Sequence, residues 1–328
     1  MKIFFNIIVG LFVACCVFGQ QDPQFSHNMF NQMTVNPGYA GSQDMVCINA
    51  INRNQWLGME KNEGAPVTQA FSANAPFTLF EHEHGAGIIV ERNKIGFNTD
   101  LGLKLSYAYR SKMKIGDGKL GIGLSLGFVN STLDGKFQGP TLGQELNVGS
   151  DPLIPAGKET KAKFDLGTGV YYKTEKLYMG LSIAHLYQSD YTFTTTIPSG
   201  ATPFNTGPHF NITAGYTYQL PDPMYQLQPS FFVQTDGKTT TMNLNTNILY
   251  NNRVWGGLSY RAGAAVTALF GFEFATGVRF GVAYDYETSD INKTATGLNS
   301  GSLEVVVIYN FKLKKERLPQ RYKSIRFL

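Results

Sequence analysis

The chain has 328 residues, enough for one large domain or two ordinary ones. Charged residues make up 16% and the net charge is +4, spread along the chain without a basic patch, which argues against a nucleic-acid partner. A mean hydropathy of −0.15 argues against a helical membrane protein, whereas 35 glycines and 13% aromatic residues suit a chain whose hydrophobicity alternates.

Residues 1–19 read as a signal peptide. Met1-Lys2 is a short cationic start, Ile3 to Phe18 is apolar, and Val17 and Gly19 are small enough to precede cleavage at Gln20. The apolar run is too short for a comfortable spanning helix. Acylation of Cys15 is a second reading, opposed by Phe12 standing where an aliphatic residue belongs. With the signal removed Cys47 is the remaining cysteine, which leaves no disulfide framework and no cysteine-based metal site.

Residues 20–44, read as a periplasmic arm, are rich in Asn, Gln and Met and contain the turn Asn36-Pro37-Gly38. Such a segment either packs passively at the barrel mouth or docks and plugs.

From residue 45 strands follow at short intervals: 45–56, 66–77, 84–93, 97–111, 119–131, 161–173, 176–187, 207–219, 226–235, 240–251, 253–261, 263–274, 275–288 and 302–313. The hairpin from Asp100 to Phe128 is the clearest. Leu101, Leu103, Leu105, Tyr107 and Tyr109 alternate with Gly102, Lys104, Ser106, Ala108 and Arg110, and Leu120 to Phe128 repeats the pattern with glycine and serine between. Period-two alternation gives each strand a large apolar face and a small or polar one. A soluble sandwich would put Thr, Lys and Glu on its second face, whereas Gly, Ser and Ala fit the lumen of a membrane barrel.

The expected fold is therefore all-β, a transmembrane antiparallel up-and-down barrel of about 14 strands over residues 45–313. A basic tail, 314–328, follows on the periplasmic side. An even strand count places both termini on one side, so the long polar links 134–160, 188–206 and 290–301 all emerge on the other. Tyrosine doublets near strand ends (Tyr107/Tyr109, Tyr171/Tyr172, Tyr216/Tyr218, Tyr284/Tyr286, Tyr309/Phe311) read as interfacial girdles.

Charged residues within strands have to avoid lipid. A charge on the lipid face near the midplane costs about 2–4 kcal/mol, so Lys104, Arg110 and Arg279 face the lumen. With Asp100, Asp285 and Glu287 they are expected to form a polar network closing the barrel; a constriction for anions is the alternative. Glu81-His82-Glu83-His84 has metal-like spacing, but it falls in a link between strands two and three, where charges face water. His185 and His209 lie on strands with no nucleophile elbow nearby, and there is no phosphate-binding glycine loop. No cofactor, metal or catalytic residue is expected, and the chain is read as not an enzyme.

Several stretches resemble the PorP/SprF family of the Bacteroidota type IX secretion and gliding system. They are QDPQFSHNMFNQMTVNPGYAGS after the signal, INRNQWLGM, GAPVTQAFSANAPF, and the closing FGVAYDYETSDINKTATGLNSGSLEVVVIYNF. The residues matching the motifs are Asp22, Pro23, Phe25, Asn36, Pro37, Tyr39, Gly41, Arg53, Trp56 and Gly58. The resemblance makes these the candidate partner-binding residues. It also implies an outer-membrane protein that contacts periplasmic ring or peptidoglycan-linked components, a large cell-surface adhesin, or both, in support of cargo export or anchoring. The rival expectations are an outer-membrane channel for a small or hydrophobic solute and a soluble periplasmic β-protein.

Overall fold

The computed structural model describes residues 22–57, 64–114, 116–134, 158–187, 189–191, 204–288 and 301–312. The segment read as a signal peptide, with Cys15, the basic segment 314–328 and Gly58 lie outside them.

Among the described residues seventeen strands form: β1 Val46–Asn54, β2 Val67–Leu79, β3 His82–Ile95, β4 Asn98–Lys112, β5 Lys119–Asp134, β6 Lys158–Lys173, β7 Leu177–Ala184, β8 Ser189–Tyr191, β9 Phe204–Thr206, β10 His209–Tyr216, β11 Tyr218–Gln219, β12 Tyr225–Thr235, β13 Thr240–Tyr250, β14 Val254–Arg261, β15 Ala265–Glu273, β16 Val278–Glu287 and β17 Ser302–Phe311. Strands β8 and β9 pair with each other apart from the main sheet, and β11 adds two residues to the edge of β12. The other fourteen close into one antiparallel barrel. First and last strands pair from Val46↔Phe311 to Asn54↔Leu303, and β10 pairs with β12 across the insertion of β11. Closure leaves the main sheet without a free first or last strand, which is what lipid demands of a sheet.

The alternation seen in the sequence is inverted relative to a soluble protein. On β5, Ile122, Leu124, Leu126 and Phe128 are 52–59% exposed, while Gly121, Gly123, Ser125 and Gly127 between them are buried. Leu101, Leu103 and Leu105 on β4 behave in the same way. In water such a belt would be a severe aggregation liability; against acyl chains it is the stabilising surface.

All barrel links have a consistent sidedness. The start of β1, the end of β17 and the turns at 80–81, 174–176 and 274–277 share one rim, the terminal rim, and the strand ends Asp134, Ala184 and Glu287, from which the three long links leave, lie on the other, the loop rim. Short turns on the terminal rim and long loops opposite are the arrangement of bacterial outer-membrane barrels. Girdle tyrosines behave as expected at Tyr107, Tyr109, Tyr216, Tyr218, Tyr284, Tyr286 and Tyr309, all exposed on the outer surface. Tyr171 does not: it faces the lumen at 2% exposure, because its strand parity matches Gly169 rather than Val170.

Boundaries moved at one informative place. The link between β2 and β3 is a two-residue turn, Phe80-Glu81, with both residues at positive φ, so His82 and His84 belong to β3 and not to a loop. His84 is buried against Tyr107, whose hydroxyl lies 2.7 Å from Nδ1, and its Nε2 lies 3.2 Å from the Leu79 carbonyl oxygen.

Candidate functional site

The lumen is filled by the chain's own N-terminal segment. From Met45 at the terminal rim the backbone runs backward through a one-turn 3-10 helix, Pro37–Tyr39, and a short helix α1, Gln32–Val35. It continues to Asp22 beside wall residues near the loop rim. Most of residues 25–42 is buried.

The wall accommodates this plug by having no side chains where the backbone passes. A Cβ on Gly85 of β3 would overlap the Ala40 carbonyl, and one on Gly123 of β5 would overlap the Pro37–Gly38 peptide. The Gly/Ser/Ala face of the strands thus serves as the channel in which the plug lies.

Polar contacts then fix its register. Asn36 Oδ1 accepts from Gly38 N at 2.9 Å, and its Nδ2 donates to the wall carbonyls of Val170 (3.1 Å) and Leu181 (3.3 Å). Gly41 N donates to Asn74 Oδ1 at 3.1 Å, and Ser182 Oγ donates to the Val35 carbonyl at 2.6 Å. Apolar contacts alternate with these: Phe25 packs with Ile51, Ala70, Val306 and Ile308, and Tyr39 meets Tyr171 edge-on at 5.2 Å.

Two charged clusters hold the outer half. In the first, Glu304 accepts the backbone N–H groups of Ser26 and His27, each at 2.7 Å, and lies 2.7 Å from His27 Nδ1. Arg53 donates from Nη2 to Asp285 at 2.5 Å and from Nη1 to Glu304 at 3.3 Å and Ser26 Oγ at 2.7 Å. Arg261 approaches Asp285 at 3.5 Å. Two guanidinium groups thus face two carboxylates with little or no access to solvent, so each charge depends on its partners. In the second cluster Lys104 pairs with Asp165 at 2.7 Å, and His185 bridges Asp165 (2.9 Å) and Asp22 (3.0 Å).

The expected lumen charges are inside, with partners other than those anticipated. Lys104 pairs with Asp165, Arg279 with Glu273 at 2.5 Å, and Asp285 with Arg53 and Arg261. Arg110 points at the Ala40 carbonyl from 3.4 Å. Lys104 and Arg110 lie on β4, several strands away from Asp285 and Glu287, and Arg279 sits at the opposite end of their own strand β16, where it meets Glu273.

Of the motif residues, Phe25, Asn36, Pro37, Tyr39, Gly41 and Arg53 are buried in the plug or its wall, and Asp22 and Pro23 line a lumen cavity. Trp56, at positive φ, donates its backbone N–H to Ser302 Oγ (3.3 Å) at the loop rim. The motif therefore coincides with the plug–wall contact. Glu304, His27, Asp165 and Arg261 were not anticipated. Glu304 was legible in LEVVVIYNF, where it falls on the face opposite Leu303 and Val305; His27 carries no pattern in the sequence.

A family model described as Type IX secretion system membrane protein PorP/SprF matches residues 17–309. The chain belongs to that family. No curated protein sequence matches it. Among solved structures it is similar in fold to the toluene transporter TodX of Pseudomonas putida (11% identity, TM-score 0.46, covering 90% of this chain and 96% of that one). It is also similar to Omp33 of Acinetobacter baumannii (7%, 0.44, 82% and 99%) and to the monoaromatic hydrocarbon channel CymD (13%, 0.43, 86% and 93%). This PorP/SprF protein is a closed fourteen-strand barrel with an apolar outer belt, and its family-like motif builds an internal plug.

Proposed function

We propose that this protein sits in the bacterial outer membrane as a component of the type IX secretion system, supporting export or surface anchoring of a secreted adhesin or other cargo by protein–protein contacts. The observation that carries this reading is the family match over residues 17–309, and the filled lumen agrees with it. A barrel whose interior is occupied by its own chain is suited to present its rims to partners. The terminal rim faces periplasmic ring or peptidoglycan-linked proteins, and the loop rim faces the cargo.

The solute-channel reading draws on a different observation, a lumen cavity of ≈ 300 Å³ between the plug and strands β3 to β6, at the small end of ligand pockets. Two experiments separate them. Loss of the chain from native cells should remove a type IX cargo from the surface, with partners recovered by crosslinking and co-purification from wild-type membranes. Purified protein in planar bilayers should show no steady solute flux. Normal cargo display in its absence, together with solute-specific flux, would overturn the secretion role in favour of the channel.

A further inference from the structure

We propose that Asp22, His185 and His209 form a binding site for one divalent transition metal of the zinc type, which fastens the outer end of the plug to the barrel wall. One ligand atom from each lies within 4.8 Å of the others, and they come from three separate elements: the plug, the residue after β7, and the first residue of β10.

The two imidazoles are already oriented as metal ligands are. His209 Nδ1 lies 3.0 Å from the Gly207 carbonyl oxygen, which can only accept, so Nδ1 carries the hydrogen and Nε2 presents its lone pair. That Nε2 has no hydrogen-bond partner, in a side chain 2% exposed. A buried acceptor left unpaired calls for an explanation, and a cation at this point supplies one. His185 Nδ1 lies 2.9 Å from Asp165, whose other carboxylate oxygen is held by Lys104 at 2.7 Å, while its Nε2 faces the Asp22 carboxylate at 3.0 Å in a hydrogen bond whose proton an incoming metal ion would displace to solvent. A carboxylate behind one imidazole and a backbone carbonyl behind the other are the outer partners that fix ring orientation in metal sites.

The backbone supports the same conclusion. Ser182 and Ala184 of β7 have lumen parity, so His185 would fall on the lipid side if the strand simply continued. Instead it takes φ 53°, which turns the ring inward to 8% exposure. Histidine is among the residue types that take left-handed backbone most readily, so this turn is what aims the ring at the site.

The adjoining cavity of ≈ 300 Å³ gives a fourth ligand, water, a place to enter. Its lining includes the carboxyl groups of Asp22, Glu91, Asp100 and Asp165 against the ammonium groups of Lys104 and Lys163, a balance that favours a cation. Two imidazoles and one carboxylate select zinc, cobalt or nickel over magnesium or calcium, which take oxygen ligands.

The test uses the full chain without a histidine tag, in detergent, titrated with Co(II) and followed by visible absorption, with bound Zn(II) counted by mass spectrometry. One equivalent should bind in a four-coordinate spectrum. His209→Ala and Asp22→Ala should abolish it; Asp22 is not part of the wall, so its replacement leaves every strand intact. Asp165→Asn should weaken affinity about 10- to 100-fold, and the His82→Ala/His84→Ala variant should bind as wild type. Zinc should also slow hydrogen exchange in residues 22–27 of the wild type and not of Asp22→Ala. Absence of saturable binding, or binding that survives His209→Ala and Asp22→Ala, overturns the site. Binding without slower exchange overturns its role as a fastener.

Discussion

Gly85 offers the sharpest test of the plug. A methyl group at this position would stand a full ångström inside the 3.0 Å limit that real Cβ atoms respect, and the atom it meets is the Ala40 carbonyl oxygen. Neither partner yields easily: Gly85 is paired on both sides, with Pro76 and Ala108, and Ala40 is flanked by the buried Tyr39 and by Gly41 at φ 69°. The plug has to withdraw, and the Gly41 N–H loses its bond to Asn74 while Arg110 loses the Ala40 carbonyl.

Overpacking of this kind costs about 1–3 kcal/mol. Because the plug is held separately at Ser26 and His27, that cost falls on local opening of residues 39–42 and leaves the barrel closed. One factor of ten per 1.4 kcal/mol converts it to roughly 5- to 150-fold faster amide exchange at Gly41 and Ser42 in Gly85→Ala. The control is Gly102→Ala, on the same lumen face, where the nearest atom to a new Cβ is Val129 Cγ2 at a comfortable 3.6 Å. Equal exchange in Gly85→Ala, Gly102→Ala and wild type would refute the close plug–wall contact.

Arg53→Met strands Asp285 and Glu304 without their shared cation, an expected loss of about 3–5 kcal/mol. The readout is the temperature at which the folded band is lost on a gel; an unchanged temperature for this variant counts against a buried network. Leu124→Arg, in the middle of the outer face of β5, should destabilise the protein in bilayers by about 2–4 kcal/mol, and denaturant titration showing no effect would remove the lipid belt. At the turn after β12, burial raises the Asp236 carboxyl, but the Thr239 and Lys238 amides and the Thr239 hydroxyl together outweigh this and hold it below its ordinary pKa. A depressed carboxyl contributes above its unfolded pKa and is lost as pH falls through the folded one, so the Thr239 amide resonance should move only in acid and stay fixed in Asp236→Asn.

How much of this was legible follows from what alternation encodes. Side-chain period two is a local property, so the strands, their inverted faces and the sidedness of the long links could be read one strand at a time. The same rule located Lys104, Arg110, Arg279 and Asp285 inside, because a charge has only two faces to choose from and lipid forbids one. What it cannot supply is the partner across the lumen, which depends on barrel closure and on where residues 22–44 lie. Asp165 meets Lys104 across β5, and Glu304 meets His27 across 277 positions of chain. The glycine face shows the limit most clearly. Gly85 and Gly123 were readable as lumen residues from parity alone, yet their reason, a second backbone lying against them, is visible only when the plug is in place. The motif carrying the family resemblance therefore marks an internal contact first. Any partner that engages Asp22 to Gly41 must either reach through the rims or draw the segment out, and the Glu304 and Asn36 anchors set the resistance it meets.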